Sequence, residues 1–419
     1  MPGMSVLIAY GDKPAFVRSY GVADLDDDAP ATPQTIYYVA SITKQFTAAT
    51  ILQLRNEHKL SLDDTVTKYF TDLPIVQQPV TIRQLLNHTS GLRTSGPLGD
   101  RFWTRRDYTR EEWLRALAEA YRGKQPDFAP GTAWNYRDVN YMTLAYLIEK
   151  ITGHSVWDEF RQRFFVPLGM TATAQCNPNI IVKHRAKGYV QVDSAPGGVV
   201  PAPYLSNTIA LGNSGLCSNV MDLFTWQRAL VKHRVLDSAT YAMMSTPAPL
   251  DDGTPLDYAM GLAAFPLGRQ TMSFHTGGGL GWTGFLGYLP AQDATIIVLG
   301  NSNMDPLRLG AETARAVAGL PQVASLPLTQ QQMERYLGTY EGSGIKAIVR
   351  PRNGELEAEV TGTNSIRFLF PVRLMNQGDT AFPIGWEPES RMSFHPGGAA
   401  ASAVSLVFGA RTVELRRSP

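Results

Sequence analysis

The chain has 419 residues, 44% of them apolar and 18% charged, which is long enough for two hydrophobic cores and too apolar for a disordered or fibrous protein. Its 38 lysines and arginines balance 37 acidic residues, so composition supplies no general attraction to nucleic acid or an anionic membrane. No apolar run reaches the roughly 20 residues that span a bilayer, and Met1 to Ser5 show neither a basic n-region nor a signal-peptide core, so the sequence as it stands reads as soluble and unexported.

Residues 4–10 and 14–21 are apolar runs around Gly11-Asp12-Lys13-Pro14 and predict a β-hairpin. Residues 41–58 carry Phe46, Ala49, Leu52 and Leu54 at helical spacing, with a serine available as cap. Helical patterning continues over 81–87, 110–122, 139–152 and 155–165, and the turn-rich stretch 91–99 suits a lid. Cys176 and Cys217 form no Cys-x-x-Cys motif and predict two buried free thiols. The pattern turns extended again at 272–274, 285–289 and 295–299, before a helix over 306–317.

Strands at both ends of a helical middle predict a central antiparallel sheet fed from both, which brings N-terminal and late residues side by side. A proline-bearing stretch, 319–329, reads as a linker. Beyond it, 355–360 alternates after the Asn353-Gly354 turn, and 366–370, 392–394, 404–408 and 413–415 follow between Gly and Pro signals. Those short strands predict a small antiparallel β-barrel over 329–419.

The first chemical candidate is Ser41-Ile42-Thr43-Lys44. Residues three apart share a helix face, so the Lys44 amine can reach the Ser41 hydroxyl. Ser343-Gly344-Ile345-Lys346 has the same spelling in an extended, glycine-bearing region and is set aside, because on a strand the two side chains point to opposite faces. A bare S-x-x-K is weak evidence, and a simple cap is the competing reading of Ser41. Two further segments strengthen the chemical reading. Pro130-Gly131-Thr132-Ala133-Trp134-Asn135-Tyr136-Arg137-Asp138 precedes a helix and puts a tyrosine on a loop, and Phe274-His275-Thr276-Gly277-Gly278-Gly279 ends a strand with glycines that let another backbone approach closely.

In this order the three segments resemble the motifs S-x-x-K, Y-x-N and [K/H]-[T/S]-G of the penicillin-recognising serine hydrolases: class C β-lactamases, DD-peptidases and the related D-aminopeptidases and esterases. The runs 81–92 and 212–223 look similar to that family too, and the resemblance spans about residues 2–318. It implies an α/β (α+β) fold, a β-lactamase/transpeptidase-like antiparallel sheet flanked by helices with an all-helical region. The implied catalytic domain covers 1–320, and 329–419 resembles the lipocalin-like barrel of several D-aminopeptidase-like relatives. Relatives usually carry a helix before the first strand, which here begins almost at Met1, and they are often exported.

The resemblance implies that Ser41 attacks a carbonyl to form an acyl-enzyme. Lys44 must then be neutral, so its pKa has to fall from about 10.4 toward neutrality, about 4 kcal/mol of differential stabilisation. Tyr136 would share the proton work, and the N–H groups of Ser41 and Gly278 would form an oxyanion hole worth about 3 kcal/mol per donor. Asp138, His275, Thr276, Gly277 and Gly278 are the substrate-binding candidates.

Two departures bear on substrate. Asp138 stands where the family usually has asparagine, and an ionised carboxylate cannot donate a hydrogen bond and favours the ammonium form of a nearby lysine. It is read as a protonated acid, a partner for a substrate amine, or a cap of the following helix; Asn140 has the wrong spacing to replace the amide. His275 stands where lysine is common, and a mostly uncharged imidazole anchors a carboxylate weakly; the competing reading is a buried histidine with a satisfied ring. Both changes point away from efficient β-lactam hydrolysis and toward small amides, peptides or esters.

Other signals carry less. Gly279-Leu280-Gly281-Trp282-Thr283-Gly284 spells G-x-G-x-x-G but runs into a strand, not a helix, which argues against a nucleotide site. The histidines show no metal-ligand spacing, so neither a metal nor another cofactor is expected. Trp103, Trp113, Trp134 and Trp282 flank the cleft segments, with core packing as the default for each. The expected partner is a small-molecule or peptide substrate, with no nucleic acid and no membrane; the barrel serves packing, homo-oligomer formation or restriction of substrate length. Competing functions are an acyltransferase or peptide cyclase using the same acyl-enzyme, and a non-catalytic binding or sensor homologue.

Overall fold

The structure is a computed structural model that describes residues 1–70, 79–92, 107–109, 111–112, 126–192, 195–206, 210–304, 306–322, 324–352, 354–362, 372–377, 380–383, 391–408 and 411–418. The helix expected at 110–122 lies largely outside these residues, as do most of the stretch 91–99, the strand at 366–370, and Trp103 and Trp113. The chain forms two compact units, one of residues 1–265 with 272–306 and one of 266–271 with 307–419.

The expected sheet is present in the first unit. β1 (Met4–Tyr10) and β2 (Lys13–Tyr20) form the hairpin, and β1 pairs on its other side with Ala294–Gly300, from Met4 opposite Gly300 to Tyr10 opposite Ala294. The full order is Ala263–Leu267, Gln270–Gly279, Trp282–Leu289, Ala294–Gly300, β1, β2. Every residue of Ala294–Gly300 is buried, as an unbroken apolar run at the sheet centre requires. Trp282 begins a strand, so the G-x-G-x-x-G spelling spans a hairpin.

Helix α1 (Thr43–Asn56) is buried along Thr43–Leu52 and at Leu54. Several of its polar side chains bond inside the protein: Thr47 donates to the Gly212 carbonyl (2.7 Å), Thr50 to that of Phe46 (2.9 Å), and Gln45 Oε1 accepts from the Trp226 indole (2.9 Å). Phe46 stacks on Trp226 at 3.9 Å between centroids and meets Phe165 edge-on at 5.7 Å. Burying each such ring contributes roughly 2–3 kcal/mol, so the helix is anchored through its first turn. Trp226 belongs to Val220–Val231, which is buried except at Met221, Thr225 and Val231 and so packs into the core. Helix α2 (Ile82–Leu86) opens with a capping box between Thr81 and Gln84. Helix α3 (Asp138–Thr152) ends at Gly153, and Val156–Phe160 continues into a π-helical turn at Arg161–Phe165.

The cysteines correct the sequence reading. Leu216–Ser218 lies between Tyr37–Tyr38 and Ala174–Gln175 in a small sheet, where Ala174 faces Cys217. Cys176, just beyond that pairing, is disulfide-bonded to Cys217 with 4.7 Å between Cα atoms. Two thiols 41 positions apart in sequence become neighbours only through that pairing.

The second unit holds an eight-stranded antiparallel sheet that curls into a nearly closed barrel. Tyr340, Val349, Ala358, Phe382, Phe394, Leu406 and Leu415 fill its core. Gly338–Gly342 and Ile345–Arg352 are strands that the apolar pattern did not single out. The second S-x-x-K spelling runs from the turn at Ser343-Gly344 into the strand Ile345–Arg352, and Lys346 pairs with Glu341 at 2.8 Å.

Candidate active site

Ser41 sits in a 3-10 turn, Ala40–Ile42, that runs into α1, and its side chain is half-buried. It is not a cap: Ile42 occupies that position and makes no side-chain cap bond. Ala40 has φ 45°, a left-handed conformation that costs an alanine about 1 kcal/mol and turns the chain sharply just before the serine. The turn is held at both ends. Val39 N–H donates to Leu216 O (2.9 Å), while Thr43 Oγ1 donates to Ala40 O (2.7 Å) and accepts from Leu216 N–H (3.2 Å). On the other side, a Cβ at Gly277 would lie 2.2 Å from Val39 O, so only glycine lets the strand Gln270–Gly279 come this close to the serine turn.

Lys44 is fully buried, and its Nζ reaches three oxygens: Ser41 Oγ at 3.1 Å, Asp138 Oδ1 at 2.7 Å and Asn213 O at 2.8 Å. An ammonium satisfies all three as a donor. A neutral amine keeps two of these bonds and turns its lone pair to the third, where the Ser41 hydroxyl can donate. Burial pushes the Lys44 pKa below the ordinary lysine value, while the charge and hydrogen bond of Asp138 pull the other way. Asp138 is the first residue of α3, yet it does not cap the helix; Arg137 holds the capping position, and the Asp138 carboxylate is spent on Lys44.

Tyr136 lies with its ring centroid 4.6 Å from Lys44 Nζ. Its loop is held by a residue the sequence reading passed over, His88, whose backbone has φ 62°. Asn135 N–H donates to His88 O (3.0 Å), Arg137 N–H donates to His88 Nδ1 (3.2 Å), and the His88 ring lies 4.4 Å from that of Tyr136. Tyr136 is thus gripped on either side along the chain and across its face. Asn140 Nδ2 lies 3.0 Å from the same Nδ1, and its Oδ1 accepts from Ser90 (2.7 Å), so Asn140 belongs to this scaffold.

His275 is 2% exposed, with its ring centroid 6.2 Å from that of Tyr136. Nδ1 lies 2.6 Å from Thr276 O, which can only accept, so Nδ1 carries the proton and Nε2 accepts from Tyr258 Oη at 3.0 Å. Both nitrogens are therefore occupied inside the protein. Burial, then the Lys44 charge, push the His275 pKa down to about 3. Thr276 and Gly277 are buried and Gly278 is half-buried; they pair with Phe285, Gly284 and Thr283. The three segments found in the sequence thus meet around Lys44. Tyr258, His88 and Asn213 complete the arrangement; His88 and Asn213 lay within the runs 81–92 and 212–223 singled out for resemblance, and Tyr258 lay in neither. Trp134 is 7% exposed and packs 6.0 Å from Tyr258, while half-buried Trp282 lies 6.2 Å from Tyr38.

A helix-borne Ser-x-x-Lys pair below an antiparallel sheet, faced by a loop tyrosine and a His-Thr-Gly strand, defines the class: the penicillin-recognising serine hydrolases. The Beta-lactamase family profile matches residues 1–320, and the chain belongs to that family. Among curated proteins it is similar to a D-aminopeptidase of Brucella canis (strain ATCC 23365 / NCTC 10854 / RM-666), 27% identical over 343 residues that cover 81% of this chain and 63% of the relative. A D-aminopeptidase of Brucella anthropi is 29% identical over 286 residues, 67% of this chain and 52% of that protein. The chain thus spans less than two thirds of the length of these relatives. Among solved structures it resembles the octameric penicillin-binding protein homologue from Pyrococcus abyssi over 99% of this chain and 94% of that one, with a TM-score of 0.71 and 24% identity. It is also similar to the D-amino acid amidase from Ochrobactrum anthropi SV3, over 72% of this chain and 87% of that one, with a TM-score of 0.62 and 25% identity.

Proposed function

We propose that the chain hydrolyses small amides, peptides or esters through an acyl-enzyme on Ser41, with a preference for D-configured amino-acid derivatives and little action on β-lactams. The observation that carries this reading is the 3.1 Å contact between Ser41 Oγ and the buried Lys44 Nζ, under the Tyr136 ring. The D-aminopeptidase and D-amino acid amidase relatives support the substrate class.

In this mechanism neutral Lys44 takes the Ser41 proton as Oγ bonds to the carbonyl carbon, and the carbonyl electron pair moves onto oxygen. The N–H groups of Ser41 and Gly278 hold that oxyanion, each worth about 3 kcal/mol. Collapse re-forms the carbonyl and expels the leaving group, which receives its proton through Tyr136; water then resolves the ester by the reverse route. Thr276 and Gly277 form the strand edge beside the substrate. His275, neutral and engaged at both nitrogens, holds Tyr258 and supplies no positive charge for a substrate carboxylate, which supports the low expectation for β-lactams. The catalytic domain is assigned to residues 1–320 and the accessory barrel to 329–419.

A panel of D- and L-amino-acid amides, an aryl ester and a chromogenic cephalosporin tests this reading. Amides and ester should turn over, the cephalosporin much more slowly, and Ser41→Ala should abolish every activity. Turnover that survives in Ser41→Ala defeats the proposal.

A further inference from the structure

The Asp138 carboxylate has no role in the mechanism above, yet it is bonded to the residue that acts as base. Among the described residues, Lys44 is the only side chain seen to hydrogen-bond it, and 38% of the Asp138 side chain remains exposed. The groups facing Lys44 come from every element around it: Ser41 from the serine turn, Tyr136 from its loop, Asp138 and Tyr141 from α3, the Asn213 carbonyl, and neutral His275 from its strand. Asp138 is the one carboxylate among these groups. While it accepts from Lys44 it favours the ammonium, and the ammonium cannot take the Ser41 proton.

We propose that Asp138 receives a cationic amine of the substrate and thereby releases Lys44 to act as base. The inference rests on the reading of Ser41 as nucleophile and Lys44 as its base. Two hydrogen bonds, 3.1 and 2.7 Å long, lead from Ser41 Oγ through Lys44 Nζ to Asp138 Oδ1. A 2-amino acyl substrate carries its nitrogen two bonds from the attacked carbonyl carbon, so a carbonyl seated at Ser41 brings the ammonium within the span of that chain. The incoming cation takes over the carboxylate and adds a like charge beside Lys44, and both effects favour the neutral amine. Lys44 gives its extra proton to solvent water; the neutral amine then accepts the Ser41 proton as the Oγ–C bond forms. An N-acylated substrate has no cation to offer and leaves the Lys44–Asp138 pair intact.

The test compares an amino-acid p-nitroanilide with its N-acetyl counterpart on the full chain, wild type and Asp138→Asn. It follows kcat and kcat/KM with pH and checks Ser41 acylation by mass spectrometry. In wild type below about pH 7, where the substrate amine is protonated, the free-amine substrate should be preferred by at least about tenfold in kcat/KM. The acidic limb of its kcat, which reports Lys44 in the enzyme–substrate complex, should lie at lower pH than that of the acetylated substrate. In Asp138→Asn the preference should fall to within about twofold and the two limbs should coincide at the lower pH. Preference and limb separation that persist in Asp138→Asn, with Ser41 acylated, overturn this inference alone; absence of any Ser41 adduct overturns the site reading and the inference with it. Should the variant fail to fold, the wild-type substrate pair decides, because coincident limbs there contradict the coupling.

Discussion

Tyr258 Oη donates to His275 Nε2 across 3.0 Å, and this bond fixes the imidazole of the third motif as a neutral, inward-facing group. The consequence is a pH-dependent stability. The folded pKa lies near 3, well below the roughly 6.5 of an unfolded histidine, so the unfolded chain binds the extra proton between those values. The stabilisation is complete above about pH 6.5 and is lost as pH falls toward 3, by a few kcal/mol in all. Urea unfolding at pH 7.5 and 4.5 should show a smaller loss in His275→Gln than in wild type; equal losses contradict the assignment.

Gly277→Ala places a methyl group 2.2 Å from the Val39 carbonyl. The strand and the serine turn must separate, which moves the proposed oxyanion donor Gly278 relative to Ser41 and should slow acylation by about 10²-fold or more. Labelling by a fluorophosphonate probe measures this, with circular dichroism to confirm folding; an unchanged rate argues that the close approach is irrelevant to the site.

His88→Ala removes the acceptor for Arg137 N–H and the ring against Tyr136. The loss of a buried acceptor costs about 1–3 kcal/mol of stability, and kcat should fall with it by at least about tenfold as Tyr136 loses its placement. His88→Asn, which can still accept a hydrogen bond, should recover part of both. Equal kcat in all three proteins rules out a positioning role.

The Cys176–Cys217 bond closes a loop of 41 residues, for which chain entropy gives about 4 kcal/mol. Its strand neighbour Leu216 holds the serine turn, and Asn213 binds Lys44. Reduction should therefore lower the urea midpoint and also slow Ser41 labelling, whereas Cys176→Ser should be insensitive to reductant.

These residues also show what the sequence could and could not disclose. Ser41 and Lys44 were legible because a helix puts residues three apart on one face, and the antiparallel sheet was legible because β1 and Ala294–Gly300 are apolar runs at opposite ends of the catalytic region. The bonding choice of Asp138 was not: a carboxylate at a helix start is written the same way whether it caps or reaches Lys44 from 94 positions away. His88 was missed because its role depends on a left-handed backbone and a loop that arrives from residues 135–137. The cysteine pair was invisible for the same reason, since only the pairing of Ala174–Gln175 with Leu216–Ser218 makes them neighbours. In the barrel, Gly338–Gly342 holds little apolar side chain besides Tyr340, so no alternation announced it.

The most direct test of the central claim is intact-protein mass spectrometry after exposure to a slowly deacylated ester at neutral pH. One acyl adduct should form, map to Ser41 after digestion, disappear in Ser41→Ala, and accumulate at least about 10²-fold more slowly in Lys44→Ala. An adduct on any other residue, or one that forms at the same rate without the lysine, contradicts the account.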